Sequence, residues 1–219
     1  MSLTLIGKKR GMTRLFDKKR GKVIPCTVIE IEPNIVSQIK TIEIDEYNGI
    51  QLAAFKVAEN HTNRITKPIL GHFEKNKISP CRVMSESRLD SLESFEIGKE
   101  ITVEFFSDIE FVDVCGTSKG KGYQGVIKRF GVARKPESHG SGPIVRHMGS
   151  TGSLTSHGRV QKNKKGAGQM GNERVTCESL QVICVKPELN ALVVKGAVPG
   201  ANGGVVYIRK AIKKLNRVK

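Results

Sequence analysis

The feature that most constrains this chain is a glycine-rich, basic segment in its second half. Residues 113–175 hold 13 of the 23 glycines and carry 12 basic against 3 acidic residues, a net charge of +9. Leu154 is the only leucine of this segment, and Ile127 and Ile144 are its only isoleucines. So few large aliphatic side chains cannot bury enough apolar surface to offset the entropy lost on folding. We therefore expect an extended arm that becomes ordered on a polyanionic partner, with a disordered linker as the alternative.

The charge of the remaining chain is also uneven. The total of 219 residues carries +16, of which residues 1–22 contribute +7, residues 23–112 contribute −6 and residues 176–219 contribute +6. No apolar run approaches the roughly 18 residues of a membrane span. The N-terminus places its charges after a short apolar stretch, the reverse of a secretory signal. This pattern favours a cytoplasmic protein that meets a polyanion, most simply nucleic acid, with no membrane partner.

Strand-forming sequence lies on both sides of the basic segment. Runs rich in β-branched residues predict strands at 23–31, 35–44 and 50–57, with Asn48 and Gly49 forming a hairpin turn before the third run. The other predicted strands cover residues 101–106, 111–114, 180–185, 191–194 and 205–208. Thr66, Lys67 and Pro68 predict the start of a short helix.

These elements predict a mainly β protein with one barrel-like body. The body comprises residues 1–112 and 176–219, interrupted by a small α-helical or irregular insertion at about 60–98. Residues 113–175 form the extended arm. Closing the strands into a barrel would remove exposed sheet edges.

Motifs for catalysis or metal binding are weak in this sequence. The five cysteines include no Cys-x-x-Cys pair, and their odd number argues against a disulfide framework. Residues 120–125 match G-x-G-x-x-G, but no acidic residue follows about twenty positions later to bind a ribose. We therefore expect no catalytic residue, metal, cofactor or small-molecule substrate. A nucleotide-binding enzyme built on Gly120 to Gly125 is the alternative.

Most of the candidate nucleic-acid contacts lie in three basic clusters, the N-terminal cluster at residues 8–20 and two further clusters at residues 119–129 and 158–174. Arginine and lysine neutralise phosphates, amides can read base edges, and glycines let the backbone approach closely. The candidate side chains are Lys8, Lys9, Arg10, Arg14, Lys119, Lys121, Lys128, Arg129, Arg134, His139, His147, Arg159, Lys162, Lys164, Lys165, Gln169, Asn172 and Arg174. The candidate backbone positions are Gly120, Gly122, Gly125, Gly168 and Gly171. Lys18, Lys19 and Arg20 extend the N-terminal cluster. Aromatic residues make up 5%, which argues against an aromatic stacking platform.

Four of these stretches together resemble the ribosomal protein L3 family. The stretch from Phe106 to Arg129 carries the family pattern, with Asp113, Gly116, Ser118, Gly120-Lys121-Gly122 and Gly125 between them. The stretches 7–13, 167–172 and 194–200 also look like family motifs, so the resemblance covers nearly the whole chain. The length fits the bacterial or organellar form.

The resemblance implies a six-stranded barrel like those of translation factors and a long loop that penetrates ribosomal RNA. It implies a structural protein of the large ribosomal subunit, not an enzyme, that binds large-subunit rRNA near its 3′ end and joins the subunit early in assembly. The loop would reach toward the peptidyl-transferase centre, and neighbouring ribosomal proteins would be partners. Its tip would be at about residues 139–159 and would add to the candidate RNA contacts Arg146, Gly149 and Gly152. Some members carry a methylated glutamine where this chain has Ser153, which argues against that modification here. A soluble translation or ribosome-assembly factor with a related barrel is a second alternative.

Overall fold

The computed structural model describes residues 3–17, 21–93, 95–152 and 158–214. These residues divide into two compact units. The first unit contains the chain up to Thr117 together with the chain from Arg174 onward, and the second unit is Ser118–Glu173. Residues 113–117 and 174–175, which the sequence analysis assigned to the arm, therefore belong to the first unit. No helix in the described parts of the chain combines the length and apolar character needed to cross a membrane.

The structure is mainly β. Its described strands are β1 (Thr4–Asp17), β2 (Lys22–Glu30), β3 (Asn34–Lys40), β4 (Gly49–Lys56), β5 (Cys81–Arg88), β6 (Glu100–Ile101), β7 (Phe111–Thr117), β8 (Gly122–Gln124), β9 (Gly168–Met170), β10 (Arg174–Lys186), β11 (Ala191–Lys195) and β12 (Val205–Lys210). Its described helices are α1 (Ile42–Asp45), α2 (Lys67–Lys75) and α3 (Val126–Phe130), and short 3-10 turns cover Glu59–Arg64, Val103–Phe106, Gly142–Ile144 and Pro187–Leu189.

Six strands of the first unit pair into a closed ring. The order is β1, β12, β7, β10, β11 and β2, and every neighbouring pair is antiparallel. Alternate residues of each strand point inward, because successive side chains of a strand lie on opposite faces. Fully buried aliphatic residues from five of these strands fill the interior, including Leu5, Ile29, Val114, Leu192 and Ile208. This core fixes the two strands, β7 and β10, that lead into and out of the second unit.

A four-stranded antiparallel sheet in the order β5, β4, β3, β6 completes the first unit. Helix α2 covers this sheet with Phe73, which packs against Ile35, Ala53 and Cys81. The predicted helix is therefore confirmed, with a proline in its first turn. Strand β5 pairs along its length with β4, although its sequence had been assigned to an irregular insertion.

Two strand predictions are wrong at their ends. The run 35–44 leaves the sheet after Lys40 and continues as α1, which exposes both of its isoleucines to solvent. The run 101–106 is a strand only to Ile101 and then a 3-10 turn that buries Val103 and Phe106. These two buried side chains are three positions apart, a spacing that a 3-10 turn places on one side and a strand would place on opposite sides.

The Asn48-Gly49 hairpin turn is also wrong. Gly49 lies within β4, paired with both Lys40 and Arg88. The left-handed residue of this connection is Glu46, at φ 66°, after the last turn of α1. By contrast, the predicted strands at 180–185 and 191–194 are confirmed, and they pair as a hairpin with Asn190 in the left-handed conformation before β11.

Candidate nucleic-acid interface

The second unit has almost no core. Val126 is the only buried residue among those that the structure describes between Ser118 and Glu173. The same stretch carries eleven lysines and arginines against two acidic residues. Burial of apolar surface therefore contributes little to its stability, and most of its polar groups face solvent.

A two-stranded ribbon forms the base of this unit. Strands β8 and β9 pair antiparallel, with Tyr123 opposite Gln169. The backbone amide of Lys121 donates to the carbonyl of Met170 at 2.9 Å, and that of Ser118 donates to the carbonyl of Glu173 at 2.9 Å. The ribbon brings two predicted clusters together, since residues 119–125 and 168–172 are neighbours in space.

One glycine of this ribbon is required by the protein itself. Gly171 has φ +72°, and a Cβ atom there would lie 2.1 Å from the carbonyl oxygen of Lys119. Approach to a phosphate is therefore not needed to explain this glycine. A Cβ atom at Gly168 would lie 2.7 Å from a guanidinium nitrogen of Arg129, a flexible side chain that can move away.

A cleft beside the ribbon gathers basic and apolar side chains. Lys119, Lys121, Arg129, Phe130 and Met170 are among its lining residues. The guanidinium of Arg129 donates to the carbonyl of Gly166 at 3.0 Å, which ties the end of α3 to the returning chain. The ammonium groups of Lys119 and Lys121 have no side-chain partner among the described residues, so both stay available to an anion.

The chain between α3 and β9 presents most of the remaining candidates to solvent. Arg134 forms an ion pair with Glu137, and Lys164 donates to the carbonyl of Ser150. The exposed candidates of this unit whose side chains have no hydrogen-bond or ion-pair partner in the described part of the chain are Lys128, His139, Arg146, His147, Arg159, Lys162 and Lys165. Gly149 and Gly152 are exposed as well, whereas Ser153 lies outside the described residues. The five lysines and arginines of this set are suited to phosphate because each can replace a counterion.

The G-x-G-x-x-G stretch does not have the context of a dinucleotide site. Such a site needs a parallel strand followed by a helix whose N-terminus meets the pyrophosphate. Here Gly122 begins β8, which pairs antiparallel with β9, and the helix that follows Gly125 has five residues. Gly120 and Gly122 are exposed on this ribbon.

The N-terminal candidates differ in exposure, and the side chain of Lys9 is buried in the first unit. Lys9 is 7% exposed, and its ammonium donates to the carbonyls of Val198 at 2.7 Å and Gly200 at 3.1 Å. This side chain faces the protein, so we remove Lys9 from the set of candidate RNA contacts. Its assignment from sequence was wrong because charge alone does not show which strand face a lysine occupies.

The other first-unit candidates reach the surface. Lys8 pairs with Glu32 at 3.3 Å, and Arg10 pairs with Glu30 at 2.7 Å. The hydrogen bond to Glu30 raises the pKa of Arg10, so this guanidinium stays charged. Arg14 and Arg174 are exposed, and Arg174 also donates to the thiol of Cys115 at 3.0 Å. Lys18, Lys19 and Arg20 lie outside the described residues.

Three of the five cysteines, Cys26, Cys81 and Cys115, are buried free thiols, and Cys177 and Cys184 are partly buried. Burial raises the pKa of Cys26 and of Cys81, which disfavours the reactive thiolate. Among the described residues, no group of three or more His, Cys, Asp or Glu side chains is placed to hold a metal ion.

Two exposed aromatic side chains were missed from sequence. Phe16 on β1 is 69% exposed, and Tyr123 on β8 is exposed beside Lys121. The low aromatic content suggested that stacking was absent, but content does not show where the few aromatic rings lie. The sequence signal for such a site would have been an aromatic residue two positions from an arginine or lysine, because residues i and i+2 share one face of a strand.

The chain combines a closed β ring with a basic unit that has almost no core. It is therefore of the class of proteins that carry a cationic extension on a folded body. Comparison with known families identifies the member of this class. The family model described as Ribosomal protein L3 matches residues 87–191. The large ribosomal subunit protein uL3 of Protochlamydia amoebophila is 52% identical over the whole chain and 94% of its own length. The proteins of the same name from Cellvibrio japonicus and Corynebacterium efficiens are 47% and 44% identical, over 97% and 95% of this chain and 98% and 94% of their own lengths. This chain belongs to the ribosomal protein L3 family.

Proposed function

We propose that this chain is a structural constituent of the large ribosomal subunit that binds large-subunit rRNA. The observation that carries the proposal is the second unit, which combines a net charge of +9 with one buried residue among those described. A segment of this kind gains its order from a polyanion that neutralises the lysines and arginines. Family membership supports the same partner, since relatives are named as large-subunit proteins.

The two units have different roles in this proposal. The six-stranded ring is the translation-factor-like barrel, and it anchors the protein on rRNA near the 3′ end and on neighbouring ribosomal proteins. The second unit, 118–173, is the arm that penetrates rRNA toward the peptidyl-transferase centre. The protein joins the subunit early and stays in it, and the chemistry of peptide transfer is left to RNA.

The exposed lysines of the arm provide the direct test. We expect the triple variant K162Q/K164Q/K165Q to bind large-subunit rRNA more weakly and with a smaller salt dependence. Each lost phosphate contact should reduce the slope of log affinity against log salt by about 0.7 to 0.9. A salt titration of binding to an rRNA transcript measures both quantities.

A matched control is available on the acidic part of the first unit. Lys67, Lys75 and Lys77 are exposed on or beside α2, so K67Q/K75Q/K77Q removes the same number of charges. We expect this variant to keep both the affinity and the slope of the unmodified protein. Equal losses in the two variants would mean that only net charge matters, and no loss in either would contradict rRNA binding by the arm.

The alternative of a soluble translation or assembly factor makes a different prediction. A structural constituent remains at one copy per large subunit after high-salt washing, whereas a factor dissociates. Quantifying the protein in washed subunits distinguishes the two functions.

A further inference from the structure

Strands β1 and β2 continue together beyond the closed ring. Strand β12 pairs with β1 only at residues 4–8, and β11 pairs with β2 only at residues 26–30. The pairing of β1 with β2 continues to Asp17 opposite Lys22. Residues 14–17 and 22–25 therefore pair with each other and with no third strand among the described residues. Residues 11–13, which β12 does not reach, lead into this extension, and we call residues 11–17 and 22–25 together the β1/β2 ribbon. A two-stranded ribbon is marginally stable in water by itself.

One face of the β1/β2 ribbon combines an aromatic ring, aliphatic groups and a positive charge. Met12, Arg14 and Phe16 share this face because strand side chains alternate, and Val23 lies opposite Phe16. The exposed fractions of Phe16, Val23 and Met12 are 69%, 53% and 53%, and Arg14 is also exposed. Four exposed groups on such a short stretch form a contiguous surface that a partner would cover.

We propose that this face binds an unpaired base of large-subunit rRNA, with the Phe16 ring stacked on the base and the Arg14 guanidinium on a neighbouring phosphate. The inference rests on the proposed function, because it takes rRNA as the partner. Every nucleobase has a π face, so an exposed phenylalanine can stack on a base of any identity. Arg14 lies two residues away on the same face, about 7 Å along the strand. Its long side chain therefore starts close enough to contact a phosphate next to a base stacked on Phe16.

Charge favours RNA over a neighbouring protein as the occupant. Residues 1–22 carry a net charge of +7, and Asp17 is their only acidic residue. A dry protein interface over Phe16 and Val23 would also remove water from Arg14, at a cost that an acidic partner group would have to offset. Addition of a partner strand along β2 is hindered by Pro25, which has no amide hydrogen and whose carbonyl already accepts from Gly196 at 2.9 Å.

A tryptophan reporter tests the stacking directly. The chain has no tryptophan, so F16W places a single indole at the proposed contact. We expect titration of the full-length variant with a large-subunit rRNA transcript to quench the indole fluorescence, because a stacked base is an efficient quencher. Unchanged fluorescence at saturating rRNA would overturn the proposal.

Affinity measurements separate the ring from the charge. We expect F16S to weaken rRNA binding about 5- to 100-fold with an unchanged salt slope, because no phosphate contact is lost. F16Y should restore the affinity, since it retains an aromatic ring, while R14Q should reduce the slope by about 0.7. I44S is the matched control, because Ile44 is 85% exposed on α1 in the acidic part of the chain and should have no effect.

The outcomes distinguish this inference from the proposed function. If F16S binds like the unmodified protein while K162Q/K164Q/K165Q binds weakly, the ribbon inference is wrong and the proposed function stands. If F16S binds rRNA normally but is lost from washed subunits, the ribbon contacts a protein and the inference is again wrong. If the unmodified protein fails to bind rRNA, both proposals are wrong.

Discussion

At the scale of single residues, the buried ammonium of Lys9 shows how one charge can stabilise a turn. Its two carbonyl acceptors belong to the turn 198–200, which lies between β11 and β12. The same turn packs on the end of β7, where a Cβ atom at Gly200 would lie 2.9 Å from the carbonyl of Thr117. Lys9 therefore holds the turn beside the last residues of the first unit before the arm begins.

We expect K9M to destabilise the protein by about 1–3 kcal/mol. Methionine keeps most of the aliphatic chain but leaves the carbonyls of Val198 and Gly200 buried without their donor. Chemical denaturation measures the change in the free energy of unfolding. K195M is the control, because Lys195 lies in the same ring on β11 and is exposed, so its loss should change stability by less than about 0.5 kcal/mol. Equal effects of the two substitutions would contradict a specific role for the buried ammonium.

The identity of the residues indicated which side chains are basic, but it did not indicate which of them are accessible to a partner. The sequence located the basic clusters, and the structure exposes most of them. It could not separate Lys9 from Lys8, because the two differ only in the strand face that they occupy. It also could not show that Arg129 packs against Gly168, since that contact joins residues 39 positions apart.

At the scale of elements, strands with strong hydrophobic patterns were predictable and strands defined by pairing were not. Runs such as 191–194 are rich in β-branched residues and are strands of the ring. Strand β1 was missed because Gly7, Lys8, Lys9, Arg10 and Gly11 interrupt its apolar pattern. Its partners β12 and β2 determine its conformation through backbone hydrogen bonds, which involve no particular side chain.

The Asn48-Gly49 error has a packing cause. A Cβ atom at Gly49 would lie 3.1 Å from the ring of Tyr47, so any larger residue there would require this ring to shift. A turn and a tightly packed strand position can both select glycine, so the sequence alone does not distinguish the two.

We expect G171A to break the ribbon of β8 and β9. The substitution adds a Cβ atom 2.1 Å from the carbonyl of Lys119 and places alanine at φ +72°. The amides of Ser118 and Lys121, which donate across the ribbon, should lose protection in hydrogen exchange. Affinity for rRNA should fall as well, because the basic groups on the two strands are no longer held together.

G120A is the matched control for this prediction. A Cβ atom at Gly120 would lie 3.7 Å from that of Asn172, an ordinary contact on the facing segment of the same ribbon. We expect it to keep the amide protection of Ser118 and Lys121. If G171A matched G120A in hydrogen exchange, the close approach at Gly171 would not be what holds the ribbon together.

At the scale of the whole molecule, the distribution of charge and apolar residues along the chain predicts a body at 1–112 and 176–219 and an arm at 113–175. The boundaries from sequence differ from those of the compact units by a few residues, because β7 and β10 extend to Thr117 and back to Arg174. These strand ends contain small and polar residues, and the pairing of Gly116 with both Val175 and Val206 keeps them in the ring.

We expect the two units to differ in their resistance to trypsin. In the purified protein, cleavage should begin within 118–173, where the lysines and arginines are mostly exposed and one described residue is buried. Lysines of α2 should be cut later, because Phe73 packs this helix on the sheet. Binding to large-subunit rRNA should slow cleavage of the arm at least about tenfold while leaving α2 unchanged, since proteolysis follows the population of open conformations. Mass spectrometry of timed digests with and without rRNA measures this difference. An arm that resists trypsin without RNA would be a folded domain, and its order would then not depend on the polyanion.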